Sequence, residues 1–212
     1  MNQVVRIRDM CAAALGLLVV WPVLLAIAVA IVLDDGRPVL FRQERIGHRG
    51  RPFRMWKFRT MVVGAERSGQ LLTVGADRRI TRVGRWLRRY KLDELPQLVN
   101  VLRGEMRLVG PRPEVSRYVA LYTPTQRRVL DLVPGITDPA SVRFVHESDE
   151  LAAAAADAER LYVTDIMPEK IRLNLDYAAR ANAWTDLSVV LATVRQLVVE
   201  RPPRIAPRAR LG

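Results

Sequence analysis

From Cys11 to Leu33 the chain carries no charged side chain. A helix of about 23 residues, at ~1.5 Å per residue, reaches roughly 35 Å and can cross the hydrocarbon core of a bilayer. A cleaved signal peptide is one competing reading. The run is long for a signal's apolar region, and Ala28-Val29-Ala30 is a weak cleavage sequence. A buried soluble helix is the other. The membrane segment accounts for the run best.

Pro22 sits near the middle of the run, beside Trp21. Proline removes a helix hydrogen bond and crowds the preceding turn, so a kink at Trp21-Pro22 is expected. A straight span would separate residues 1–10 from the rest of the chain. A hairpin bent at Pro22 would dip into one leaflet and return. Arg6 and Arg8 precede the run and Arg37 and Arg42 follow it, which favours keeping both ends on the cytoplasmic side.

The remaining chain is basic: 34 Lys and Arg against 22 Asp and Glu, a formal net charge of +12 over 212 residues. Such an excess points to an anionic partner: phosphate, nucleotide, nucleic acid or lipid headgroup. The single cysteine, Cys11, rules out an intramolecular disulfide and fits a reducing compartment. His48 and His146 stand apart without cysteine companions, which argues against zinc.

The pattern beyond the run is mixed. Residues 39–43 predict a short strand, 47–51 a hairpin turn and 52–60 a second strand. Residues 64–80 read as a surface segment. Arg82 to Tyr90 predicts a basic amphipathic helix, and residues 94–103 a helix with Asp93 or Glu94 at its start, where Pro96 is tolerated. Residues 115–133, Leu151–Leu161 and Glu169–Tyr177 also predict helices. A last helix, capped by Thr185 or Asp186, carries Leu187, Val190, Leu191, Val194, Leu197 and Val198 as an apolar stripe. The tail 201–212 is basic and proline-rich, a lipid-facing extension.

The chemistry concentrates at Asp93-Glu94 and Arg112. Adjacent residues of a helix point about 100° apart, so the two carboxylates cannot face one atom alike. One could attack while the other holds a metal. A helix start and nearby arginines would keep Asp93 ionised, as a nucleophile requires. Attack on a phosphoryl group also requires its charge to be neutralised, by Mg²⁺ and by cationic clamps. Lys57, Arg59, Arg88 and Arg112 are the clamp candidates, and Pro111 and Pro113 restrict the backbone of Arg112. A helix cap with a surface ion pair explains Asp93-Glu94 equally well on these grounds alone.

With these residues in view, the chain resembles the bacterial sugar transferase family of monotopic phosphoglycosyl transferases. The resembling stretches are Phe41-Arg42-Gln43-Glu44-Arg45-Ile46-Gly47, Lys57-Phe58-Arg59-Thr60-Met61, Leu92-Asp93-Glu94-Leu95-Pro96-Gln97-Leu98, Val109-Gly110-Pro111-Arg112-Pro113 and Pro134-Gly135-Ile136-Thr137. Their order and spacing match over about residues 5–200, as in the small form of the family without an extra transmembrane bundle.

The resemblance implies that Asp93 attacks the diphosphate of a UDP-sugar, releases UMP and carries a phosphosugar, which undecaprenyl phosphate then takes. It implies that Glu94 binds Mg²⁺, that Lys57, Arg88 and Arg112 support phosphate or nucleotide binding, and that a re-entrant helix breaks at Pro22. Departures are Glu105 and Arg107 after Gly104, Trp21 before Pro22, Asp138-Pro139-Ala140-Ser141 after Thr137, and Asn174 at an acidic position, with Asp176 two residues on.

The expected fold class is α+β, mainly helical: a monotopic membrane protein with an N-terminal re-entrant kinked helix, amphipathic surface helices and a small β-hairpin. The expected division is a membrane hairpin over 1–35, a membrane-associated catalytic domain over 36–200 facing the cytoplasm at the bacterial inner membrane, and a basic tail over 201–212. Expected partners are a UDP-sugar, undecaprenyl phosphate and membrane lipids, with self-association into a homodimer left open and no nucleic acid. A basic membrane-surface scaffold also explains the charge and the anchor, but does not need Asp93, Glu94 and Arg112 together.

Overall fold

The computed structural model describes residues 3–65, Leu72 and 77–199. The expected tail 201–212, and most of the expected surface segment 64–80, lie outside the described residues. The chain begins with α1 (Gln3–Asp35), whose helix continues through Pro22. Leu18, Val19, Trp21, Leu25 and Leu33 are exposed along it. Its few buried residues, Asp9, Ala13, Ile27 and Ile31, lie towards the two ends. Ala13 packs with Met55, Val101 and Met106, whereas Ile27 and Ile31 pack with Phe58 and Leu87. Both ends of α1 therefore rest on the same body, and the apolar middle is left uncovered.

The expected hairpin is present. Strands β1 (Leu40–Ile46) and β2 (Pro52–Phe58) pair antiparallel, with Leu40 opposite Phe58 and Arg42 opposite Trp56. Alternation buries Met55 on one face, while Trp56 on the other receives the Arg42 guanidinium at 3.9 Å. Helix α2 (Arg82–Arg89) starts at Thr81, whose side chain accepts from the Gly84 amide at 2.9 Å. Gly84 lies against the Thr60 backbone, and a Cβ there would sit 2.1 Å from the Thr60 carbonyl oxygen. Only glycine permits this approach, which seats α2 on the end of β2.

The helix expected over 94–103 divides. A 3₁₀ turn covers Leu92–Gln97, and α3 (Leu98–Leu102) follows. A second, parallel sheet that the pattern did not suggest joins β3 (Arg107–Val109) to β4 (Gly135–Thr137). There a Cβ on Gly135 would lie 2.1 Å from the Gly110 nitrogen. The helix expected over 115–133 is instead α4 (Ser116–Val119) and a 3₁₀ turn Gln126–Asp131. Between them Thr123 and Gln126 exchange side chain to backbone hydrogen bonds around Pro124.

Asp138 caps α5 (Pro139–Arg143). The alanine-rich helix expected over Leu151–Leu161 is α6 (Glu147–Ala154) and α7 (Ala158–Leu161), broken at Ala155, which has φ +48°. Helices α8 (Met167–Ala178) and α9 (Ala183–Val199) complete the described chain. The cap of α9 is Asn182, whose side-chain oxygen accepts from the Trp184 and Thr185 amides, rather than Thr185 or Asp186. Tyr118, Tyr122, Leu151, Tyr162, Met167 and Ile171 form part of the core beneath α4–α8.

Candidate active site

The 3₁₀ turn holds Asp93 and Glu94 in its first turn, both buried, after Lys91 in a left-handed conformation. Their environments differ. Glu94 Oε1 accepts from Lys57 Nζ at 3.1 Å, and the Arg112 guanidinium grips both Glu94 oxygens, with Nη1 to Oε2 at 3.1 Å. The Asp93 side chain makes no hydrogen bond or ion pair among the described residues. Burial alone would raise the Glu94 carboxyl, but Arg112 and Lys57 outweigh it and hold it well below the usual carboxylate range. Burial and the adjacent Glu94 charge push Asp93 up, against the opposing pull of Lys57, Arg88 and Arg112.

The α-helix start expected to favour an ionised Asp93 is not formed. The turn is 3₁₀ and short, and the closest cations are engaged by Glu94. Asp93 is thus a desolvated carboxylate with cations nearby but none bound to it.

Distant elements supply those cations. Asn100 in α3 accepts from the Trp56 amide at 3.0 Å and donates to the Arg54 carbonyl at 2.9 Å. These bonds fasten β2 to α3 and set Lys57 against Glu94. Burial lowers the Lys57 ammonium to about 8. Arg112 lies between Pro111 and Pro113, and its amide donates to Asp138 Oδ2 at 2.9 Å. Asp138 also caps α5, so one carboxylate ties the Arg112 backbone to that helix. Arg88 Nε donates to Thr60 Oγ1 at 2.8 Å, and burial lowers its guanidinium.

Of the expected clamp residues, Lys57 and Arg112 contact Glu94, and Arg88 bears on Asp93 through its charge. Arg59 is not brought there. Its guanidinium binds the Asp35 carboxylate at 2.6 Å and the carbonyls of Asp35, Gly36 and Pro38, closing the end of α1 onto β2. Trp21 and Pro22 lie on the exposed middle of α1, away from the site. Sequence reasoning missed Lys91, Asn100 and the tie made by Asp138. Lys91 could have been found, since it stands two residues before Asp93.

Beside Glu94, Lys91 and Arg112 a cavity of about 370 Å³ opens and runs to Tyr162 and Asn174. Among the described residues no group of three or more His, Cys, Asp or Glu side chains could hold a metal. Mg²⁺ usually takes one or two carboxylates together with substrate phosphates. Among the described residues Glu94 Oε2 accepts a single bond, from Arg112, and so keeps a lone pair for a cation shared with substrate phosphates. A buried carboxylate with open lone pairs, set among lysine and arginine, can attack an electrophilic phosphorus held by those cations.

A family model described as bacterial sugar transferase matches residues 1–200. A UDP-glucose:undecaprenyl-phosphate glucose-1-phosphate transferase of Caulobacter vibrioides is 38% identical over 196 residues, covering 91% of this chain and 69% of that protein. A UDP-N-acetylgalactosamine-undecaprenyl-phosphate N-acetylgalactosaminephosphotransferase of Aeromonas hydrophila is 36% identical over 196 residues, covering 91% of this chain and 43% of that protein. An uncharacterized sugar transferase of Bacillus subtilis is 37% identical over 195 residues, covering 92% and 87%. The chain thus spans about two thirds of the Caulobacter relative and under half of the Aeromonas one.

Proposed function

The chain belongs to the bacterial sugar transferase family, and from that premise we propose that it is a phosphoglycosyl transferase. It moves a sugar-1-phosphate from a UDP-sugar to undecaprenyl phosphate and releases UMP. The observation that carries this reading is the asymmetry of the dyad: Glu94 bonded by Arg112 and Lys57, Asp93 left without a bonded partner.

In the first step an Asp93 oxygen attacks the phosphorus that bears the sugar. The bond from that phosphorus to the bridging oxygen breaks, and UMP departs with the electron pair. In the second, an oxygen of undecaprenyl phosphate attacks the same phosphorus. The bond to Asp93 breaks, returning the carboxylate and giving undecaprenyl diphosphosugar. A desolvated carboxylate of raised proton affinity is a stronger nucleophile than a solvated one. Lys57, Arg88 and Arg112 bind and orient the diphosphate. Glu94 would hold Mg²⁺, which when bound supplies charge neutralisation to the diphosphate.

The 36–200 body works at the cytoplasmic face of the inner membrane, with 1–35 as a re-entrant anchor bent near Pro22. The support is the seating of α1. A helix crossing the bilayer would leave one end far from the body, yet Asp9 and Ala13 near one end and Ile31 and Asp35 at the other are both attached to it. The exposed Leu18, Val19 and Trp21 between them then face lipid.

The test is UMP release from a panel of UDP-sugars by the full chain in detergent or nanodiscs with undecaprenyl phosphate. Release that requires a UDP-sugar and yields lipid-linked sugar supports the reading. No release with any UDP-sugar returns the chain to a membrane-surface binding role.

A further inference from the structure

Two residues that line the 370 Å³ cavity each carry a buried polar atom without a partner: Asn174 Oδ1 and Arg45 Nε. Asn174, in α8, is 4% exposed. Its Nδ2 donates to the Lys170 carbonyl at 3.0 Å, which fixes the amide so that Oδ1 is the unengaged end. Arg45, in β1, binds Glu114 at 3.1 Å and Gln43 at 2.8 Å through its outer nitrogens and leaves Nε idle. Tyr162 donates to the second Glu114 oxygen, so that carboxylate is fully held. Buried polar atoms rarely go unpaired, and each such atom calls for an explanation. Here one acceptor and one donor belong to residues that line a single cavity, and hydroxyl groups suit both because each hydroxyl donates and accepts.

We propose that this cavity seats the sugar ring of the donor, and that Asn174 Oδ1 and Arg45 Nε read its hydroxyl or amide substituents. The proposal rests on the phosphoglycosyl transfer reading above. The cavity opens beside Glu94, Lys91 and Arg112, where the diphosphate would sit, so one end of the donor must enter it. In-line chemistry favours the sugar over the uridine. Asp93 attacks opposite the departing UMP, and the acceptor phosphate then attacks opposite Asp93, so it arrives where UMP left. That side must be open to the lipid, yet no α1 residue is among the described residues lining the cavity. The sugar stays on the enzyme through both displacements, and a seat apart from the lipid side suits it. The far wall adds Ser141 and the Lys170–Glu147 ion pair to a floor of Met167 and Ile171, a polar and apolar mixture suited to a hexose.

The test uses the full chain with undecaprenyl phosphate and three donors: UDP-glucose, UDP-galactose and UDP-N-acetylgalactosamine. Asn174→Ala is expected to lower kcat/KM for the preferred donor about tenfold and to change the ratio among donors about fivefold or more. Inhibition by UMP is expected to stay within about twofold and the melting temperature not to fall, since an unsatisfied group is removed from a helix. Arg45→Lys, which keeps the charge on Glu114 but removes Nε, gives the same readout if Asn174→Ala folds poorly. Unchanged donor ratios with weakened UMP inhibition would place uridine in the cavity and overturn the proposal. Unchanged ratios and unchanged inhibition would overturn it too, leaving both residues structural. If the unaltered chain turns over no UDP-sugar, the proposed function itself fails, a result distinct from either.

Discussion

Two ion clusters bury carboxylates against cations, and their difference separates holding from reacting. In the first, Arg8 and Arg107 bind Asp9 and Asp186, with Arg107 at 3.1 Å from Asp9 and 3.0 Å from Asp186, and Tyr177 donates to Asp186. Both carboxylates are bonded by both arginines. The cluster joins α1, β3, α8 and α9, and no charge in it is left over. In the second, Glu94 takes Lys57 and Arg112 while neighbouring Asp93 takes nothing. Both clusters bury carboxylates against cations, but the second keeps one carboxylate unbonded, next in sequence to Glu94, which lines the cavity. A satisfied cluster gives location, whereas an unsatisfied one gives reactivity.

Asp93→Asn breaks the second cluster at its reactive member. It is expected to lower turnover at least about a thousandfold, while the melting temperature holds or rises because a buried carboxylate without a bonded partner has been removed. UMP release and a thermal melt on the same preparation check both. Asp186→Ala breaks the first cluster. Truncating one partner of a buried ion network costs about 3–5 kcal/mol, so the melting temperature should fall markedly. Turnover per folded molecule, measured well below the melt, should stay near that of the unaltered chain. Loss of chemistry at temperatures where Asp186→Ala is folded would erase the distinction between the clusters.

Arg112→Lys sharpens the second cluster. The paired grip on Glu94 becomes a single contact, and loss of one charge-assisted bond predicts about a 10–100-fold fall in kcat/KM. The smallest effect is on pH. Asp93 must be ionised to attack and its proton affinity is raised, so the acid limb of kcat/KM should lie above the ordinary carboxylate range. Lys57 loses its proton near pH 8 and with it the ion pair to Glu94, so activity should fall again through about 8. Lys57→Arg keeps its charge at all these values and should remove the alkaline limb while leaving the acid limb in place.

What was legible in the sequence was local. Asp93 and Glu94 are neighbours, Arg112 has a proline on each side, and residues 39–60 alternate as a hairpin should. The charge-free run reads directly as the long exposed helix α1. The rest depends on partners far along the chain. Lys57 and Arg59 share one face of the strand expected over 52–60 and look alike in sequence, yet β2 ends at Phe58 and one lands on Glu94 and the other on Asp35 and three carbonyls. Only the packing of β2 against α3 and α1 separates them. Asp186 resembled a helix cap, and its burial against Arg8, Arg107 and Tyr177 comes from elements 9 to 178 residues away. The parallel pairing of β3 with β4 involves three residues on each side, too few for a period to show. The break at Ala155 carries no glycine or proline to mark it.

The account stands on Asp93 as the group that takes the phosphosugar. Incubation of the full chain with its UDP-sugar and no lipid acceptor, followed by intact and peptide mass spectrometry, tests that directly. The account predicts one sugar-phosphate adduct on the peptide containing Asp93, lost in Asp93→Asn and discharged by undecaprenyl phosphate. An adduct on another residue, or UMP release that needs the lipid and leaves no adduct, would contradict it.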